Sequence, residues 1–316
     1  MEIVFLDAFT NNPGDISFDA ISSLGNLTVY DRTTLDQLTE RTKSAEIVIV
    51  NKFSINEDTL SLMPVVKYIV VAATGVNNID LNLVKSKNIP LSNVRGYSTE
   101  SVTQHVFASI FTLLNRIEYY DAEVKKGRWS KSPDFCFYDH AIKEVSGLTL
   151  GIFGFGTIGS RVGEVAHAFG MNVIATTQNT SKDKPEYVHF IPIETLFADS
   201  DILTLHTPLT EDNKEIINQK NLKSMKKEAL LINTARGGLV NERDLFYALD
   251  HGLIAGAALD VLQQEPPHYS NPLVNHVKCL VTPHIAWAST NARKKLLEGV
   301  AENIYAFQQG KVINGV

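Results

Sequence analysis

Three polar residues of this sequence each follow closely on an apolar run, and together their types suit proton chemistry on a small carboxylate. The run ALLIN leads into Thr234-Ala235-Arg236-Gly237-Gly238, where two glycines let a guanidinium-bearing loop come close to a ligand. Arg236 can grip a carboxylate through two parallel hydrogen bonds and polarise a neighbouring carbonyl. The run AGAALDVL carries Asp260, with Glu265 next along and Pro266 and Pro267 stiffening the loop behind it. The run CLVTP ends at His284, and Pro283 biases Thr282 to an extended backbone. An imidazole near neutral pH can pass a proton to a carbonyl oxygen while hydride reaches the carbon. Glu265 bonded to the other ring nitrogen would orient His284 and favour its protonated form. Asp260 suits an acceptor that orients a cofactor's carboxamide.

A hydride source is implied upstream. Residues 148–159 read LTLGIFGFGTIG, so an apolar strand runs into Gly154-x-Gly156-x-x-Gly159, with Thr157 and Ile158 between the last two glycines, and then into a helical pattern. A lone glycine motif is weak; strand before and helix after make it a dinucleotide fingerprint. Gly154 allows a tight turn, Gly156 lets backbone approach a pyrophosphate, and Gly159 lets helix and strand pack closely. An NAD-preferring site usually carries an acid at the end of the next strand, about 20 residues on. Here that strand ends Ile174-Ala175-Thr176-Thr177-Gln178, without one. Thr177, Asn179, Thr180, Ser181 and Lys182 supply donors, but no arginine is present to clamp a phosphate. The cofactor is therefore read as NAD or NADP.

The elements that must position these groups follow from apolar periodicity. β-Branched runs at 3–6, 27–30, 46–50 and 68–72 alternate with mixed segments that suit helices, the pattern of a parallel α/β unit. Residues 100–126 contain no proline and carry apolar residues at helical spacing, which predicts one long helix. Residues 127–145 are aromatic and irregular. A second alternating series predicts six strands, near 149–153, 172–176, 201–205, 229–233, 256–260 and 278–282, in a sheet buried on both faces. Residues 290–309 read as a closing helix. The fold class is α/β.

With 316 residues, 44% of them hydrophobic, the chain can fill two cores. A net charge of -6 leaves no basic surplus for nucleic acid or an anionic membrane surface. No apolar stretch is long enough for a membrane span, and the opening apolar run is cut short by Asp7, so neither a span nor a signal peptide is expected. Cys136 and Cys279 stand far apart and outside any Cys/His cluster, which fits a reducing, cytoplasmic setting with no disulfide framework and no metal site.

The fingerprint, the run Leu231-Ile232-Asn233-Thr234-Ala235-Arg236-Gly237, the pair Asp260 and Glu265-Pro266, and Thr282-Pro283-His284 together resemble the D-isomer-specific 2-hydroxyacid dehydrogenases over essentially the whole chain. The resemblance implies two Rossmann-like domains with parallel sheets. A cofactor domain, 99–286, would be inserted into a discontinuous substrate domain, 1–98 plus 287–316, with the site in the cleft and a homodimer built on the cofactor domain. It implies Arg236, Glu265 and His284 as the catalytic set. Besides the fingerprint residues and Thr177, it points to Thr103, Thr207, Pro208, Thr234, Ala235, Arg236, Asp260, His284 and Ala286 at the cofactor. It also points to the turn Ala73-Thr74-Gly75-Val76, with Arg236, His284 and Trp287, at the substrate.

Within that family, Leu6-Asp7-Ala8-Phe9-Thr10, Ala73-Thr74-Gly75 and His284-Ile285-Ala286-Trp287-Ala288 are similar to glycerate dehydrogenases, also called hydroxypyruvate reductases. That favours hydroxypyruvate and D-glycerate as the substrate pair. Two other readings stay open at this level. One is reduction of glyoxylate, pyruvate, phosphohydroxypyruvate or a bulkier keto acid. The other is a non-catalytic, dinucleotide-sensing interaction protein that keeps the same fold.

Overall fold

The computed structural model describes residues 1–177 and 185–316, so Asn179, Thr180, Ser181 and Lys182 lie outside the described residues. The chain divides into two compact units, Met1–Ser98 with Trp287–Val316, and Thr99–Ala286. Among the described residues no helix is long and apolar enough to cross a membrane, and no group of three or more His, Cys, Asp or Glu could hold a metal ion.

The first unit is built on strands β1 (Glu2–Phe5), β2 (Asn26–Val29), β3 (Ile47–Val50), β4 (Tyr68–Val71) and β5 (Leu91–Ser92), all parallel, in the order β2-β1-β3-β4-β5. Alternating side chains feed two apolar layers. Ile3, Phe5, Ile47, Ile49, Tyr68 and Val70 face one layer, while Val4, Val48, Val50, Ile69 and Val71 face the other. The helix Thr290–Gln308 closes the first layer with Leu296, Leu297, Val300 and Ile304. It is capped by the Ser289 hydroxyl, which accepts from Ala292 N–H at 3.2 Å. At the carboxyl edge of this sheet, Asp7 accepts backbone N–H bonds from Asn51, Lys52 and Phe53 at 2.7, 2.6 and 2.7 Å, tying the ends of β1 and β3 together. Burial nevertheless holds the Asp7 carboxyl above its ordinary value.

The second unit carries strands β6 (Thr149–Phe153), β7 (Asn172–Thr176), β8 (Val188–Phe190), β9 (Ile202–Leu205), β10 (Leu230–Asn233), β11 (Gly256–Leu259) and β12 (Cys279–Val281). They form one parallel sheet of seven in the order β12-β11-β10-β9-β6-β7-β8. Central strands β9, β10 and β11 are buried at every residue, which is why their sequence is nearly all apolar rather than alternating, with Thr204 and Asn233 the buried polar exceptions. Among the described residues the series has seven strands where the apolar runs suggest six. The extra strand, β8, is a three-residue edge strand whose polar His189 and partly exposed Phe190 give no apolar run.

The long helix expected over 100–126 is two helices, Thr99–Asn115 and Ile117–Lys125, separated at Arg116 with φ 48°. Proline and glycine are absent from the junction, so the usual signal for a break is missing. The break falls where the buried stripe ends: Val106 and Ile110 are inaccessible, whereas Ile117 is 65% exposed and the second helix buries no residue. Tertiary packing that holds the first segment straight no longer constrains the second.

Candidate active site

In the second unit the strand order reverses between β6 and β9, so the loops after these strands diverge and leave a crevice at their carboxyl ends. The glycine fingerprint occupies the β6 side. Gly154 has φ +99°, and a Cβ there would stand 2.7 Å from the His206 carbonyl oxygen and 2.9 Å from Thr207 N, so only glycine fits beside the β9 loop. At Gly159 a Cβ would come 2.2 Å from the Gly154 oxygen, which forces the helix Thr157–Ala168 tight against β6. Gly156, by contrast, has nothing within 4 Å of its Cβ position: its backbone is open on the face where a phosphate would approach. Thr157 and Ile158 start the helix. Thr177 follows β7, and Thr207 and Pro208 follow β9 beside Gly154. The neighbouring His206 is half-buried, and desolvation pushes its imidazole down to about 3, so it is neutral, with Nε2 2.9 Å from the Thr204 hydroxyl oxygen.

Arg236 stands just beyond β10. Buried Asn233 shapes its turn, its amide donating to the Arg236 carbonyl at 2.9 Å and its oxygen accepting from Ala235 N–H at 3.0 Å. Gly237 is pressed so closely on the β11 loop that a Cβ would lie 2.0 Å from the Leu262 carbonyl. That contact holds the arginine turn against the loop leading to Glu265. Glu265 Oε1 accepts from Leu262 N–H at 3.1 Å, and its Oε2 lies 2.6 Å from His284 Nδ1. The acid and imidazole are both about one-third exposed, 37% and 31%. Nε2 of His284 has no hydrogen-bond partner among the described residues and is free to meet a ligand.

His284 itself has φ 55°, a left-handed conformation uncommon for a side chain of this size. Asp260 enforces it. Its side chain is 1% exposed, and the carboxylate accepts from Thr282 Oγ1 at 2.6 Å, Ile285 N at 2.9 Å and Ala286 N at 2.8 Å, bracketing His284 on both sides. Ala286 is also buried, and its carbonyl accepts from the Ser101 hydroxyl at 2.6 Å. Asp260 and Ala286 thus frame the histidine loop, because a buried carboxylate recruits nearby N–H donors. Asn233, Thr282, Ser101 and His105, which meets Thr282 Oγ1 at 3.1 Å, are site-building residues that sequence reasoning missed. Thr282 and Asn233 stand at strand ends, the one signal that could have found them.

The remaining expected residues belong to the first unit. Ala73 is buried, Thr74 donates from its hydroxyl to the Val94 carbonyl at 2.9 Å, and Thr74 O accepts from the Asn93 amide at 2.6 Å. The turn is therefore rigid, while the N–H groups of Gly75 and Val76 donate to no protein acceptor among the described residues. Trp287 packs edge-on against Tyr97, with centroids 6.3 Å apart.

A family model described as "D-isomer specific 2-hydroxyacid dehydrogenase, NAD binding domain" matches residues 107–286. A hydroxypyruvate reductase of Blautia hydrogenotrophica is 36% identical over 321 aligned residues, covering 100% of this chain and 99% of the relative. The chain belongs to the D-isomer-specific 2-hydroxyacid dehydrogenase family. A glycerate dehydrogenase of Methylorubrum extorquens is 41% identical over 91% of this chain and 90% of its own. Among solved structures, an acyclic imino acid reductase in complex with NADPH and D-Arg superposes with a TM-score of 0.86 at 32% identity, covering 100% of both chains.

The residues of this dehydrogenase fit a nicotinamide dinucleotide. Besides the open backbone at Gly156, the hydroxyls of Thr103 and Thr234 are buried without any hydrogen-bond partner among the described residues. Orphaned buried hydroxyls are uncommon and call for a ligand or water. Because backbone atoms face Gly237, Gly237→Ala should displace the Arg236 turn. We expect kcat/KM to fall at least tenfold, a loss of about 1.4 kcal/mol, together with a lower Tm. Initial rates and thermal unfolding of the variant check this.

Proposed function

We propose that this dehydrogenase reduces a small 2-keto acid to the D-2-hydroxy acid, with hydroxypyruvate and D-glycerate as the preferred pair. The observation that carries the reading is the 2.6 Å contact between Glu265 Oε2 and His284 Nδ1, which leaves Nε2 as the free proton-bearing atom. Nε2 delivers the proton to the carbonyl oxygen, and Glu265 on Nδ1 keeps the ring aimed. Arg236 holds the substrate carboxylate and draws electron density from the carbonyl. Thr103, Thr234 and the Gly154–Gly159 backbone are assigned to the dinucleotide, with Thr157, Ile158, Thr177, Thr207, Pro208 and Ala235 beside it. When bound, the nicotinamide supplies the hydride. The turn at 73–76 and Trp287 are assigned to substrate, the unused N–H groups of Gly75 and Val76 suiting a carboxylate. The names of the Blautia and Methylorubrum relatives support the choice of hydroxypyruvate.

A cytoplasmic setting and a homodimer are part of the same reading. Segment 127–145 leaves Phe135, Tyr138 and Ile142 at 89%, 73% and 61% exposure, an apolar surface that suits a second copy of the chain. Light scattering should return twice the 35.0 kDa chain mass; a monomer at micromolar concentration would remove this assignment.

Initial rates with NADH and NADPH, each against hydroxypyruvate, glyoxylate, pyruvate and phosphohydroxypyruvate, test the activity. Hydroxypyruvate should lead by about tenfold or more in kcat/KM, a margin of roughly 1.4 kcal/mol. Both cofactors should work, since the end of β7 at Thr176 and Thr177 has no carboxylate to repel a 2'-phosphate. No turnover with any keto acid, while dinucleotide still binds, would reinstate the sensing protein.

A further inference from the structure

His284 is held by a network that extends beyond the acid beside it. The helix Thr99–Asn115 runs along the loop that carries His284 and touches it twice from one face. The Ser101 hydroxyl donates to the Ala286 carbonyl at 2.6 Å, and one turn later His105 Nε2 lies 3.1 Å from Thr282 Oγ1. Thr282 in turn donates its hydroxyl proton to Asp260 Oδ1 at 2.6 Å. A carboxylate only accepts, so the threonine hydrogen is committed to Asp260 and its oxygen lone pairs are left for an N–H donor. That assigns the proton on His105 to Nε2. The same nitrogen is 3.7 Å from Asp260 Oδ1, and the His105 side chain is 19% exposed.

We propose that His105 is a positioning residue for the reaction. By donating to Thr282, it orients that hydroxyl toward Asp260, and Asp260 then holds His284 in its left-handed backbone conformation with Nδ1 on Glu265. Thr282 is the coupling element, since among the described residues it is the one side chain that accepts from His105 and donates to the carboxylate. The effect is carried over a short path: Thr282 precedes His284 by two residues, and the His284 N–H bonds the Thr282 carbonyl at 2.9 Å. Without the His105 donor the threonine hydroxyl can rotate away. Asp260 then keeps only the two backbone donors on the far side of the histidine, Ile285 and Ala286. The loop remains folded, but the ring loses its aim.

The inference rests on the catalytic reading of Glu265 and His284, and the experiment separates the two. Steady-state kinetics are measured for the wild type, His105→Phe, His105→Gln, Thr282→Val and the His105→Phe/Thr282→Val double variant, with hydroxypyruvate and NADH, alongside Tm for each. Absence of turnover in the wild type would defeat the catalytic reading itself. With an active wild type, His105→Phe should lower kcat roughly tenfold to a hundredfold, with KM for NADH changed by less than about threefold. His105→Gln, whose amide N–H reaches the same place as Nε2–H, should recover most of kcat. The double variant should be no slower than Thr282→Val alone, because both changes break one chain of bonds. Wild-type kcat in His105→Phe, multiplicative losses in the double variant, or loss of Tm without loss of kcat would each overturn the proposal. Thr282→Ser, which keeps the hydroxyl, serves if His105→Phe fails to fold: it should retain kcat where Thr282→Val does not, and equal losses would overturn the proposal too.

Discussion

Asp260 places a negative charge where only 1% of its side chain meets solvent, and the loop after β12 is folded around it. A buried carboxylate without partners would be strongly unfavourable, so its three donors come as a set: one hydroxyl before His284 and two backbone N–H groups after it. Hydrogen bonds to a charged group contribute about 1.5–3 kcal/mol each. A left-handed backbone at a non-glycine residue costs of the order of 1–3 kcal/mol. The carboxylate therefore outweighs the strain at His284, and the imidazole is delivered to Glu265 rather than relaxing into solvent. Arg236 depends on a parallel device, since buried Asn233 closes its turn and Gly237 presses that turn against the loop leading to Glu265.

The dinucleotide crevice depends on backbone contact instead of charge. Gly154 abuts the carbonyl of His206, and Gly159 abuts the carbonyl of Gly154, so the β6 turn, the β9 turn and the following helix are locked together at glycine spacing. The half-buried, neutral His206 supplies the carbonyl at that junction. What this packing leaves unfilled is informative: open backbone at Gly156 and two buried hydroxyls, Thr103 and Thr234, without protein partners among the described residues. Protein interiors rarely leave such groups unmatched, and here both come from elements that end at or run beside the crevice.

The class of fold was legible because parallel strands buried on both faces are near-continuous apolar runs, and the central strands β9, β10 and β11 are of that kind. The glycine fingerprint and Arg236 were legible because they follow such runs closely, while Glu265 and His284 lie in the loops after β11 and the partly buried β12. What stayed hidden has physical reasons. Strand β8 is short and lies at a sheet edge, so burial does not impose an apolar pattern on it. The break at Arg116 arises from the loss of a packing partner, which local propensity does not encode. The framing part played by Asp260 stayed hidden for a similar reason: its residue type indicates an acceptor, but only the folded loop shows which donors reach it. His105 and Ser101 sit on a helix far upstream, and nothing in local spacing joins them to the histidine loop.

The claim on which the account turns is that Glu265 acts by holding and aiming His284, not by binding either substrate. Single-turnover hydride transfer in Glu265→Gln, compared with wild type at saturating keto acid and with the Kd for NADH measured separately, tests it most directly. The rate constant should fall by about a hundredfold or more, in line with the loss of an oriented general acid, while the NADH Kd stays within a factor of about two. An unchanged transfer rate, or a loss explained entirely by weaker NADH binding, would contradict the account.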